Sequence, residues 1–402
     1  MKILVVGSGL MGSAAAFDLA RSPAVEKVTL ADQDLASLQQ TVRNISLDLG
    51  EKAAGRVAVA SLRLPQDPQL PLLLSSHDAV ISAVPYFLNP ELARAAVEAG
   101  THFCDMGGNN DAVEAALALH DLAIEKEVTV IPDCGLAPGM ANVIAARAIE
   151  LLGEGPIEHI SIRVGGLPQN PKLPLNFQLF FSVEGLINEY IEPCHVLRDH
   201  RITTVAGMSG IESLEFPPPF GRLEAFHTSG GASTMPRTLR ERVKNLDYKT
   251  IRYPGHAQQI QLLVDLGLLS SEPITMEDSL QVRPRDVLGK LLMERLPKDG
   301  EDVVLLRVEG EATREGRTRS YRAQLIGYPD SWQRTAMMRM TSDPTSVIAQ
   351  MMVRGETRGP GAGTAETMVP PAPFFAALAE RDIVFEETLD GQTLESPRVL
   401  AS

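Results

Sequence analysis

Cysteine is scarce in this chain, and its three copies, Cys104, Cys134 and Cys194, are widely scattered. They are too few and too far apart for a disulfide framework or a zinc site, so a reducing cytoplasm is the expected setting. A basic surplus is also missing: 37 Lys and Arg against 51 Asp and Glu leave a formal charge of -14. Nucleic-acid binding, which draws on a basic face, is excluded on that ground. No apolar run approaches the roughly 18 residues of a membrane span. The opening MKILVVGSG passes from a short apolar run straight into glycines, without the longer core and cleavage site of a secretory signal. No internal repeat is visible.

What is present suits an ordinary globular protein. A chain of 402 residues, 44% hydrophobic and 22% charged, can bury a sizeable core in each of two or three domains. Its first third alternates short apolar runs with helical segments. Ile3 to Val6 ends at Gly7, and VTLAD (28–32), VAVASL (57–62), AVISAV (79–84), HFCDMG (102–107) and VTVIPD (128–133) follow. Asn89-Pro90 predicts a helix start, with Asn as cap and Pro in the first turn. Six such strands joined by helices imply an α/β fold with a doubly wound parallel sheet over residues 1–140.

Beyond that point the pattern changes. ISIRVGG, FQLFFS, LEAFHTSGG, VVLLRVEGEA and YRAQLIGY read as strands of a mixed sheet in a second, α+β domain at 141–334. In the remainder, 335–402, Ser342-Asp343-Pro344 predicts a helix through Met352 with Asp343 as cap. GETRGPGAG (355–363) reads as a flexible connection, and PFFAALAERDIVFEE as a helix and a strand. This tail is expected to return to the N-terminal domain.

Gly7-Ser8-Gly9-Leu10-Met11-Gly12 is a GxGxxG that follows a strand and opens a helix. In that context the glycines serve a tight turn, close approach to a pyrophosphate, and packing of helix on sheet. Asp32 ends the second strand, where a carboxylate accepts the ribose hydroxyls and repels a 2′-phosphate. Gln33-Asp34-Leu35 supply no arginine for such a phosphate, so NAD is expected rather than NADP. Val84 and Pro85, at the end of the fourth strand, complete the expected cofactor contacts.

Three further segments, DCGLAPG (133–139), EAFHTSGG (224–231) and KTIRYPGH (249–256), resemble the saccharopine dehydrogenase family, with the lysine 6-dehydrogenase branch nearest. The likeness runs over nearly the whole chain. It implies a Rossmann domain completed by the C-terminal tail, a mixed-sheet domain lining the substrate cleft, and a homo-oligomer of at least two copies. Ala137 stands where saccharopine reductases typically carry an aspartate, which favours the lysine branch.

The activity so implied is NAD-dependent oxidative deamination of lysine at its ε-carbon. An ammonium cannot release hydride, so the amine must first lose a proton to a base or in a desolvated pocket. Tyr86, after the fourth strand, could relay that proton or simply wall the nicotinamide. Asp105, ending the fifth, could hold the ε-ammonium or cap the next helix. Asp133 fits an Asx-turn. His227 and Thr228 precede a double glycine that suits close approach to a ligand; His227 could be the base or a structural histidine. Arg252 could grip the α-carboxylate with its planar fork or form a surface pair. His256 and Glu184 are lesser substrate-side candidates, and Cys104 and Cys134 read as buried small hydrophobes. Two other readings compete. A saccharopine-type reductase would need a second carboxylate site, for which Arg240 and Arg242 are possible suppliers. A non-catalytic NAD-binding protein would keep the fold alone.

Overall fold

The computed structural model describes residues 1–395 apart from 181, 299 and 333. The strands β1 (Lys2–Val6), β2 (Lys27–Asp32), β3 (Val57–Ser61), β4 (Ala79–Ser82), β5 (His102–Asp105) and β6 (Thr129–Ile131) form one parallel sheet. Ile3, Leu4, Val5, Val80 and Ile81 are wholly buried, because helices cover both faces and leave no wet side. The strand order β6-β5-β4-β1-β2-β3 reverses between β1 and β4. Ligands of such sheets bind in that crevice, outside the carboxyl ends of the strands.

Among the described residues the mixed sheet has ten strands. The long β7 (Ile157–Pro168) pairs in parallel with β12 (Val243–Arg252) and antiparallel with Asp302–Arg314, which makes a hairpin with Arg317–Gly327. β10 (Glu212–Phe216) and β11 (Gly221–Phe226) extend the edge beyond β12, while β8 (Cys194–Arg198) and β9 (Arg201–Val205) branch off it. Side chains alternate between faces. Ile160, Ile162, Val164, Leu246 and Tyr248 share one core with residues of the helix Met140–Leu152, which hangs directly from the coenzyme domain. That face therefore looks toward the Rossmann sheet, and the opposite one carries Arg163, Asp247 and Lys249.

The tail departs from expectation in three ways. Its helix runs from Ala336 to Val353, capped by Thr335, with Pro344 inside it. Asp343 is no cap: it is wholly buried and paired with Arg334. A mid-helix proline costs about 3 kcal/mol in isolation, but this helix is buried along most of its length and bonded into the coenzyme domain. Ser342 Oγ donates to the Met11 carbonyl at 2.8 Å, and Thr345 Oγ1 to that of Cys134 at 2.8 Å. Secondly, the connection at 355–363 is not free: Gly361–Ala362 pairs in parallel with β6 as a seventh strand. Thirdly, besides packing on the N-terminal domain, the tail places Glu386–Leu389 against the hairpin strand Arg317–Gly327, so it ties both sheets together.

FQLFFS also forms no strand over its described residues; Phe181 lies outside them. Phe177 and Phe180 are buried in a loop, their rings edge-on at 5.5 Å, within the core that holds Tyr190 and Phe226. Its apolar pattern reflects loop anchoring instead of a ladder. Asn89 lies within the helix Asn89–Glu98, and its Oδ1 accepts from Ser82 Oγ at 2.7 Å instead of capping. Among the described residues no helix is long and apolar enough to cross a membrane.

Candidate functional site

The turn after β1 is shaped by contacts that only glycine permits. Gly7 has φ +102°, and a Cβ there would strike the Ala83 carbonyl; one on Gly12 would strike the Gly7 carbonyl. A Cβ on Gly9 would meet nothing within 4 Å, so the space before it is open. Gly9 is the N-cap of the helix Leu10–Arg21 and offers no side-chain acceptor, leaving the first N–H groups available to an anion. The Ser8 hydroxyl is buried without a hydrogen-bond partner among the described residues. Asp32 organises the turn through Oδ2, which accepts from Ser8 N at 2.6 Å, and Oδ1, which accepts from Asp34 N at 2.9 Å. Both oxygens keep further lone pairs for ribose hydroxyls. Leu10 is 60% exposed at the mouth, Met11 is tied to the tail helix, and Val84 lies beside Gly7 with Pro85 next in the chain. These residues fit a dinucleotide.

At the other strand ends the structure redistributes the expected roles. Tyr86 opens a short turn after β4 and is 40% exposed, with its ring edge-on to Phe87 at 5.9 Å. Asp105 caps no helix, since Asn109 does that for Asn110–Leu117. It is buried, and its Oδ1 accepts from Gly107 N at 2.8 Å and Asp133 N at 3.0 Å. Burial pushes its carboxyl up to about 6 against those two hydrogen bonds. Asp133, expected as a simple turn residue, reaches across the domains. Its Oδ2 accepts from Ser233 Oγ, and its Oδ1 is buried without a partner among the described residues. Burial, and then the neighbouring Asp105 charge, hold it well above the usual carboxylate range.

The mixed sheet separates residues that sequence had grouped. Register pairs Phe226 of β11 with Thr250 of β12, so Thr228 faces the same way as Tyr248, Thr250 and Arg252. Thr228 Oγ1 lies 2.8 Å from Thr250 Oγ1. His227 points the other way. It packs toward Gly210, and Nδ1 lies 3.2 Å from the Tyr248 carbonyl. Burial lowers its pKa among the charges of Asp247, Lys249 and Arg163. That orientation, away from the coenzyme domain, fits the structural alternative for His227 better than the role of a base. The cause is strand alternation across a single residue.

Arg252 is buried, with its guanidinium 4.8 Å above the Phe177 ring. Nη1 donates to its own neighbour, the Ile251 carbonyl, at 3.0 Å, while Nε is buried without a partner among the described residues. It is no surface pair. The nearest carboxylate is Glu189, with Oε2 3.9 Å from Nη2, beyond hydrogen-bonding distance. Sequence reasoning missed Glu189. It sits on the helix Val183–Ile191 five residues after Glu184, which is exposed in the first turn and belongs to none of these contacts. Nothing in SVEGLINEY marks one glutamate over the other. His256 is a supporting residue: Nε2 lies 2.9 Å from Tyr190 Oη and Nδ1 2.9 Å from the Leu175 carbonyl, with the ring stacked on Phe226. Burial and the Arg252 charge press its pKa down to about 3, so it is a neutral prop.

The two halves meet. The loop from Thr228 ends at Ser233 on Asp133, and five residues of chain span at most about 18 Å. This tether keeps the Thr228–Thr250 end of that face close to the carboxyl end of β6, and Arg252 lies further along the same face.

The family model described as "Saccharopine dehydrogenase NADP binding domain" matches residues 3–131, and "Saccharopine dehydrogenase C-terminal domain" matches 135–384. The mitochondrial alpha-aminoadipic semialdehyde synthase of Mus musculus is 22% identical over 96% of this chain. The chain spans 47% of that relative's length. The NADP(+), L-glutamate-forming saccharopine dehydrogenase of Schizosaccharomyces pombe is 22% identical, covering 96% of this chain and 98% of its own. The carboxynorspermidine synthase of Vibrio cholerae is 23% identical over 94% of each. Among solved structures, the apo saccharopine dehydrogenase of Saccharomyces cerevisiae superposes with a TM-score of 0.79 at 20% identity, covering 96% of this chain and 99% of its own.

Proposed function

From the premise that the chain belongs to the saccharopine dehydrogenase family, we propose that it oxidises free L-lysine at the ε-carbon with NAD. The observation that carries this reading is Arg252, a buried guanidinium whose Nε has no partner among the described residues, on the same sheet face as Thr228 and Thr250. Such a group is costly to bury unless an anion completes it, and a substrate α-carboxylate would do so.

NAD, when bound, supplies the hydride acceptor. The chain's own residues must orient the amine and take its proton. Asp105, with its carboxyl near 6, and Tyr86 stand at the strand ends on the coenzyme side, which suits that task. Loss of hydride from the neutral amine leaves an iminium, which water converts to the semialdehyde and ammonium; the aldehyde can then cyclise onto the α-amine. NAD is preferred because Asp32-Gln33-Asp34 present a carboxylate and no cation to a 2′-phosphate. Several relatives, by contrast, are described as NADP enzymes.

The names of those relatives favour a second reading, a reductase joining an amino acid to a carbonyl compound through a secondary amine. The arginines expected to supply its second carboxylate site lie elsewhere. Arg242 donates to the Gly153 carbonyl at 3.0 Å from an exposed position, and Arg240 is exposed before β12. NADH formation with lysine and with saccharopine at matched concentrations, each repeated with NADP, separates the readings. Lysine turnover with NAD, bound at least about tenfold tighter than NADP (~1.4 kcal/mol), is expected. Turnover of saccharopine alone would replace the first reading with the second, and binding of NAD with no amine oxidised would leave a non-catalytic protein.

A further inference from the structure

Glu189 has no part in the roles assigned so far, yet its position is specific. Its side chain is 33% exposed while that of Arg252 is 5% exposed, so the carboxylate lines open space beside a buried cation. The pair is loose at 3.9 Å, and Arg252 is the cation that acts on Glu189 among the described residues. Tyr190 follows it on the same helix, Tyr248 faces it from β12, and its own carbonyl accepts from Ser229 N at 2.9 Å. Neither tyrosine is anionic or cationic near neutrality, because burial raises both phenols.

We propose that Glu189 and Arg252 together form a receptor for the zwitterionic head of a free α-amino acid. The carboxylate would lie on the Arg252 guanidinium, and the α-ammonium on Glu189. The spacing decides between the two ends of a diamino acid. In an amino acid the carboxylate and α-amine share one carbon, so groups that read them must be neighbours, as these two are. A four-carbon stem of ~1.5 Å bonds instead places a terminal amine roughly 6 Å from the α-carbon. Glu189 is thus a specificity residue at the head, and the group that accepts the proton of the reacting amine lies elsewhere. This inference rests on the dehydrogenase reading for its location, since Arg252 anchors both. It adds a requirement that reading does not make: the α-amine itself must be recognised.

The test is titration calorimetry of the full chain saturated with NAD. Lysine is compared with 6-aminohexanoate, and glutamate and saccharopine with their counterparts lacking the α-amine. Wild type should bind at least one parent amino acid about tenfold tighter than its des-amino counterpart, a gap of ~1.4 kcal/mol. In Glu189→Gln that gap should close to within about twofold, with affinity for the des-amino compound and for NAD unchanged. A gap that persists in Glu189→Gln, an equal loss for both compounds, or no binding of any parent amino acid to wild type would overturn the proposal. Binding with the expected gap but without NADH formation would leave the receptor standing and remove only the dehydrogenase reading. Should Glu189→Gln lose NAD affinity through misfolding, Glu189→Asp serves instead: it keeps the charge and should retain most of the gap, and an abolished gap there would also count against it.

Discussion

The two faces of β12 carry similar residues in opposite states. On the far face Asp247 and Lys249 are locked into a network: Arg163 Nη1 lies 2.8 Å from Asp247 Oδ1, and Glu212 bridges Arg163 and Lys249, the latter at 2.6 Å. These charges hold Asp247 and Glu212 below the usual carboxylate range despite their burial. On the near face, among the described residues, Arg252 donates to a neighbouring carbonyl, has the Tyr190 phenol beside it, and faces a carboxylate out of reach. Glu189, instead of being held down, is raised to about 7, first by desolvation of a carboxyl that is two-thirds covered, and only partly opposed by Arg252. Satisfied charges hold a structure together. Unsatisfied ones at a cleft mark where a ligand completes the bonding.

Four substitutions or conditions can break that comparison. The largest effect is expected from Arg163→Ala, which removes the closest partner of buried Asp247, leaving it Arg198 at 3.5 Å, and should lower unfolding free energy by up to about 3–5 kcal/mol. Denaturant melts would register it, while lysine affinity of the folded fraction should stay as it was. Arg252→Ala should do the reverse, weakening lysine binding by about 2–4 kcal/mol with a smaller change in stability. If Arg252→Ala melts early and binds lysine normally, the two faces do not differ in kind.

The third test uses pH. Glu189 must be ionised to hold an ammonium, and its carboxyl sits near 7 in the free protein. Lysine affinity should therefore fall below pH 7, up to about tenfold per unit (1.36 kcal/mol), and level off above it. Around the pair, Tyr248 is raised to about 12, Tyr190 is raised, Cys194 is raised to about 12 and His256 is pressed to about 3. Asp105, near 6 at the other end of the substrate, adds its own dependence, which Glu189→Gln should retain while losing the part near pH 7. A flat affinity profile from pH 5.5 to 8 would remove the carboxylate from the interaction. The smallest effect is expected from His227→Ala. On the far face it should leave lysine turnover within about threefold of wild type, against the 10²–10⁴ typical of a lost general base. A loss of that larger size would place His227 in the chemistry despite its orientation.

Local signals were enough for the coenzyme half. Most strands there centre on a short apolar run, the glycine turn follows β1 directly, and Asp32 ends β2. The substrate half depends on register, which is set by long-range pairing. The motif HTSGG places His227 and Thr228 side by side in sequence, yet pleating sends them to opposite faces. Glu189 meets Arg252 across 63 residues of chain, and Asp133 meets Ser233 across 100, so no local pattern announces either contact. The tail misled for a related reason: Asp343-Pro344 has the composition of a helix start, but the ion pair with Arg334 and burial on both sides carry the helix through it.

The central claim is that the near face of β12 receives the head of the substrate while its reacting amine points to the Rossmann strand ends. A crystal structure of the full chain with NAD and L-lysine tests it most directly. The account predicts the α-carboxylate on Arg252, the α-amine on Glu189, and the stem running toward the ends of β4 and β5 near Tyr86 and Asp105. Lysine bound with its ε-amine on Glu189, or seated away from Arg252 altogether, would contradict it.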